Sequence, residues 1–293
     1  MKVVLLKKQS LKRFAVVLLL LIGFGSLGNY YRCSSAPVSA QPGVPVPILM
    51  YHSICADTQK ENKFVLSPKE LEKDLKYLQE NGFETILIED LIAYTKSNAP
   101  LPEKPVVLTF DDGYLNNKTN ALPLLEKYHM CAVINVVGEF TDIFSDTEDL
   151  DPRYAHMTWD DIAELQETGY VEIGSHTYNL HHDGTRKGAK KKPNEGVEDY
   201  KNMLRRDLSA LQQTLAEKSG VTPVTFAYPY GHVSEESLDI VQEVGFKASL
   251  SCYEKMNYVT RDPSCLYLLG RYNRPSGIST QEFMKKALRD AQP

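Results

Sequence analysis

Three short stretches of this 293-residue chain concentrate side chains able to do chemistry. The apolar run 106–110 (VVLTF) ends in Asp111-Asp112-Gly113. Residues 171–174 end in Ser175-His176-Thr177-Tyr178-Asn179-Leu180-His181-His182, and residues 224–227 in Tyr228-Pro229-Tyr230-Gly231. Singly, each reads as turn chemistry, since Asp, Asn, Gly and Pro are what tight turns use. Jointly they supply a carboxylate and two neutral imidazoles, the donor set of a zinc-like site with a fourth position left for water. Such a cation lowers the pKa of water towards about 7 and polarises a carbonyl. A second carboxylate beside the first can take the water's proton. Adjacent strand-end residues point in different directions, so Asp111 and Asp112 can divide these tasks.

Positioning these groups requires strands whose carboxyl ends share one rim. Short apolar strands are expected at 47–51, 84–88, 106–110, 132–137, 171–174, 224–227, 247–250 and 266–269. Helices are expected between most of them. Ser67-Pro68-Lys69-Glu70 opens one as a cap with proline at the first position, and Asn81-Gly82 closes it. Others fall near 115–129, at 159–168 behind Thr158, at 197–219, at 235–244, and after Ser279 with Glu282 three residues on. Helices covering successive buried strands imply a parallel sheet. With about seven strands and no glycine fingerprint for a dinucleotide, the expected class is α/β, a distorted βα barrel whose active site lies at the strands' carboxyl ends.

Composition restricts the partners. The chain carries 33 Lys and Arg against 38 Asp and Glu. Residues 1–40 hold six of the basic residues and no acidic one, which leaves 41–293 with a formal charge of -11. So acidic a body argues against a nucleic-acid partner. The basic stretch 1–13 precedes the uncharged run 14–28 (FAVVLLLLIGFGSLG), which fits the hydrophobic region of an export signal or a short membrane anchor. Val38-Ser39-Ala40 offers the small residues of a cleavage site, so the domain is expected to span 41–293 outside the cytoplasm, as a monomer. An oxidising exterior would permit a bridge between Cys252 and Cys265, with ordinary buried thiols the alternative. The loop 183–196 is a polar insertion with a basic cluster, read as solvated, with contact to an anionic glycan the lesser alternative.

Thr109-Phe110-Asp111-Asp112-Gly113 resembles the first motif of the polysaccharide deacetylase family (carbohydrate esterase family 4, the NodB-homology domain). Ser175-His176-Thr177 through His181 resembles its metal-binding motif, and Phe226-Ala227-Tyr228-Pro229-Tyr230-Gly231 its third motif. The resemblance covers roughly residues 45–290. It implies a divalent metal, most often Zn2+ with Co2+ or Ni2+ also suited, held by Asp112, His176 and His181. It further implies Asp111 as general base, the Tyr230 backbone N–H as oxyanion donor, and loss of an acetyl group from N-acetylglucosamine in a cell-surface or exported polymer.

The departures carry information too. The family's common His-x-x-x-His spacing is widened, with Leu180 where the second His would stand. This spacing and Met50-Tyr51-His52-Ser53 resemble the branch acting on exported poly-N-acetylglucosamine. His182 is the alternative second ligand. Position 227 is Ala where an Arg is usual, so Arg271 or Arg274 is expected to supply that charge. The late Leu-x-His is missing, leaving His52 as a candidate at the rim and the general acid unassigned. Tyr228, Tyr230 and Trp159 are candidate sugar-stacking aromatics. An O-acetyl esterase acting on xylan-type substrates, and a non-catalytic glycan binder with a decayed site, are the competing readings.

Overall fold

A computed structural model of the chain describes residues 43–57, 62–97 and 99–291. The export segment expected over residues 1–40 lies outside these. Among the described residues no helix is long and apolar enough to cross a membrane.

Eight strands form the central sheet: β1 (Ile48–Tyr51), β2 (Glu84–Thr85), β3 (Pro105–Phe110), β4 (Ala132–Val136), β5 (Val171–Ser175), β6 (Thr225–Ala227), β7 (Ala248–Leu250) and β8 (Tyr272–Asn273). Their order is β7-β6-β5-β4-β3-β1-β8, and β2 pairs with the start of β3. Every pairing in the sheet is parallel. β3, β4, β5 and β6 are buried at every position, which is why β3 and β4 read as nearly continuous apolar runs rather than alternating ones. Leu269 bridges Leu250 at one edge, and Tyr272 pairs with Leu49 at the other. Residues 269–273 therefore join the two edges and curl the sheet into the expected distorted barrel.

The packing helices follow their caps. Ser67 accepts from the Glu70 N–H to start Pro68–Glu80, and Thr158 with Asp161 forms a full capping box on Trp159–Glu167. The 23-residue helix Val197–Ser219 buries Tyr200, Leu204, Leu208, Leu211 and Leu215, a spacing that keeps one face against the barrel. Burying each such leucine contributes about 1.5–3 kcal/mol, so a charge at Leu208 would detach that face.

Two expectations need correction, and one open alternative is decided. The strand at 84–88 stops at Thr85, and Ile88–Ser97 is a helix. The Leu87 N–H donates to the Asp90 carboxylate, and Glu89 and Asp90 favour the helix's positive end. The strand at 266–269 is instead a 3-10 turn, Pro263–Leu266, followed by a single bridge at Leu269. Cys252 and Cys265 are both free. The Cys252 thiol lies 3.8 Å from the Arg271 guanidinium, and that of Cys265 points at the Thr260 carbonyl.

Candidate active site

The three polar stretches meet where β3, β5 and β6 end, and each leaves its strand through a non-glycine residue in the left-handed region. Asp112 has φ 72°, Thr177 φ 74° and Tyr230 φ 58°. Such residues cost about 1–3 kcal/mol each and persist where the surroundings enforce them. At the end of β3, the Asp111 N–H still donates to the Tyr51 carbonyl at 2.9 Å. The turn at Asp112 then separates the two carboxylates.

Asp111 is almost fully buried and accepts from both terminal nitrogens of Arg271, at 2.7 and 2.8 Å. Asn135 of β4 donates to it at 2.8 Å. Asn135 fits because Gly174 faces it: a Cβ there would sit 2.1 Å from the Asn135 amide oxygen. Asp112 faces the imidazoles, its Oδ1 lying 3.0 Å from His181 Nε2 and 3.5 Å from His176 Nε2. His176 is oriented through Nδ1, 2.8 Å from the Ala227 carbonyl, so that Nε2 is presented to the cluster. The loop carrying His181 is held from the long helix: both Asp207 carboxylate oxygens accept backbone N–H groups, from Tyr178 and Asn179, at 2.9 Å.

Burial works against every charge here. It would raise the Asp111 carboxyl, but the Arg271 charge overrides it and holds the group well below the usual carboxylate range. For Asp112 burial is likewise outweighed by the three neighbouring histidines, His181 foremost. Burial pushes His176 down to about 4, which keeps the imidazole neutral, with a ring lone pair free, at neutral pH. His181 is raised, because the Asp112 carboxylate outweighs its desolvation.

The ligand atoms of Asp112, His176 and His181 all lie within 4.8 Å of one another. Asp112 Oδ1 is buried with no donor aligned on it. One orphaned carboxylate oxygen facing two imidazole Nε2 atoms fits a divalent cation. His182, the alternative ligand, is exposed and turned to Glu139 and Asn179. A cavity of about 570 Å3 opens over the cluster, with His52, Phe64, Tyr114, Tyr230 and Cys252 among its walls. His52 keeps a buried Nδ1 without a partner.

Of the two candidate arginines, Arg271 reaches the site. Arg274 is buried elsewhere, its Nε 2.7 Å from Asp74, which also accepts from Thr280. Tyr228 and Trp159 do not line the cavity: the Tyr228 hydroxyl pairs with Ser237 and the Trp159 indole N–H with Asp142, both rings being buried. Tyr230 does line it, joined by Phe64 and Tyr114, which the motifs did not suggest. In the insertion, Arg186 pairs with Glu195, and Lys191 with Glu236 at 3.7 Å. Asn135, Asp207 and His156 are the supporting residues the motif reading missed. A buried Asn within the apolar run AVINV was the one visible signal among them.

A family model for polysaccharide deacetylases matches residues 98–249. The chain belongs to the polysaccharide deacetylase family. Among its relatives, the poly-beta-1,6-N-acetyl-D-glucosamine N-deacetylase of Escherichia coli (strain K12) is 26% identical over 218 residues, covering 68% of this chain and 32% of that one. The enzyme of the same name from Staphylococcus aureus (strain MW2) is 25% identical over 204 residues, 68% of this chain and 65% of that one. The chain thus spans about a third of the length of the Escherichia coli relative. The solved structure of a de-N-acetylase from Aggregatibacter actinomycetemcomitans superimposes with a TM-score of 0.69 at 28% identity, covering 82% of this chain and 99% of that one. This family member therefore shares the distorted barrel with a characterised fold.

Proposed function

We propose that this polysaccharide deacetylase family member removes acetyl groups from N-acetylglucosamine residues of an exported or cell-surface polymer. The observation that carries the reading is the Asp112, His176 and His181 cluster beside an Asp111 locked to Arg271. The relatives' names point to the same polymer class.

Asp112, His176 and His181 would hold a divalent cation, Zn2+ by this donor set, which supplies Lewis acidity to the acetamide carbonyl and to water. Asp111 accepts the proton of the attacking water, and Arg271 keeps that carboxylate ionised and fixes its direction. The Tyr230 backbone N–H donates to the oxygen on which charge develops. His52, which lines the cavity, would return a proton to the leaving amine. In this reading residues 1–40 direct or anchor the protein at the membrane, and 41–293 act as a monomeric catalytic domain outside the cytoplasm. The missing arginine at position 227 does not signal decay, since Arg271 supplies a guanidinium to Asp111.

Acetate release by the purified full chain from N-acetylglucosamine oligomers, lost with chelator and regained with Zn2+, is the expected result. No release from these oligomers or from acetylated xylan by metal-loaded protein would sink the enzymatic reading. Release from xylan alone would reassign it as an O-acetyl esterase.

A further inference from the structure

His156 lies outside all three motifs, in the segment leading to the helix Trp159–Glu167, yet it is bound to the site. Residues 155–157 are zipped along the turn that follows β3: Leu115 donates to the Ala155 carbonyl at 2.8 Å, and Met157 to the Gly113 carbonyl at 2.9 Å. Tyr114 and His156 form an antiparallel bridge between the two segments. From there His156 Nδ1 reaches the backbone carbonyl of Asp112 at 2.7 Å. Its ring is stacked on Tyr114, centroids 4.5 Å apart, and wedged against Phe140 at 4.6 Å. Only 9% of the residue is exposed. This packing leaves the imidazole little freedom, so the bond's position is set by a rigid group.

The carbonyl it grips belongs to the left-handed residue. Relaxation of Asp112 towards an ordinary backbone conformation would rotate that carbonyl and swing the carboxylate away from His176 and His181. We propose that His156 is a positioning residue that holds the Asp112 backbone in its left-handed state and thereby sets the affinity of the cluster for a divalent cation. The inference rests on the reading that Asp112, His176 and His181 are the ligands. Partners that orient a ligand typically change metal affinity 10–100-fold when removed.

Two substitutions separate this role from plain packing. His156→Leu retains apolar bulk and loses the donor. His156→Asn places an amide N–H where Nδ1 was. The measurement is Zn2+ affinity of the metal-stripped full chain by titration calorimetry, alongside the unfolding midpoint of the same metal-free protein. Leu is expected to weaken Zn2+ binding about 10–100-fold at an unchanged midpoint, while Asn stays close to wild type. If Leu lowers the midpoint, His156→Phe, which keeps a ring for Tyr114 to stack on and has no donor, takes its place with the same expectation. Wild-type affinity in the donor-less variants, or equal weakening by Asn and Leu, overturns the inference. A wild-type chain that binds no Zn2+ overturns the underlying site reading, and the inference with it.

Discussion

Two buried carboxylates at opposite ends of the barrel were solved differently. Asp111, at the rim, is 2% exposed and shares two hydrogen bonds with a guanidinium. Glu172, near the floor in β5, is 5% exposed and has neutral donors: the Glu89 N–H at 3.0 Å and the Thr225 hydroxyl at 2.9 Å. Burial raises both. A full positive charge reverses that for Asp111, whereas a helix N-terminus and a hydroxyl leave Glu172 pushed up to about 7. The backbone shows a matching contrast. Towards the floor Gly220 and Gly245 take the left-handed conformation free of strain, with His129 an exception ahead of β4, while the rim places Asp112, Thr177 and Tyr230 in it beside Gly113 and Gly231. Three of the five left-handed non-glycine positions among the described residues fall where the cation and substrate would sit. The floor holds the strands together.

The contrast can be broken at either end. The largest effect is expected for Asp111→Asn, which keeps the shape and the cluster but removes the proposed base: turnover should fall about 10²–10⁴-fold with Zn2+ binding preserved. Turnover near wild type would move the base elsewhere. Next, Arg271→Met leaves Asp111 as a lone buried charge, a change of about 3–5 kcal/mol in chemical denaturation at pH 7. Adding Asp111→Asn to that variant should restore much of the stability, because no uncompensated charge then remains. The smallest effect belongs to the floor. Folded Glu172 binds its proton up to about pH 7, while the unfolded chain releases it near 4.5. Its contribution is therefore complete below pH 4.5 and is lost as pH rises through 7, by at most about 3 kcal/mol. Glu172→Gln should gain stability relative to wild type across that window, and a difference independent of pH would refute the assignment.

The contrast also explains what could be read in advance. The rim motifs were legible because adjacent carboxylates and paired histidines at strand ends are chemically unusual, and the caps at Ser67, Thr158 and Ser279 were legible because capping is local. Arg271 and Arg274 could not be told apart from sequence: they stand three residues apart, and their carboxylate partners lie 160 and 200 residues away. The helix Ile88–Ser97 was hidden in the apolar run Ile86-Leu87-Ile88, where acidic residues at its start overrode the strand-like pattern. His156 was invisible for a different reason. It acts on a backbone carbonyl, and a sequence does not show which carbonyls are left-handed.

The seam formed by residues 269–273 gives the site an order of assembly. The cluster of Asp112, His176 and His181 is drawn from β3 and the segment after β5, so it can form once the middle of the chain has folded. The Asp111–Arg271 pair spans 160 residues and waits for the last strand to dock. Long-range closures of this kind are the slow events of folding. Cation-holding geometry would thus precede a competent base, and the final docking of the carboxyl-terminal seam would be the step that switches the barrel on.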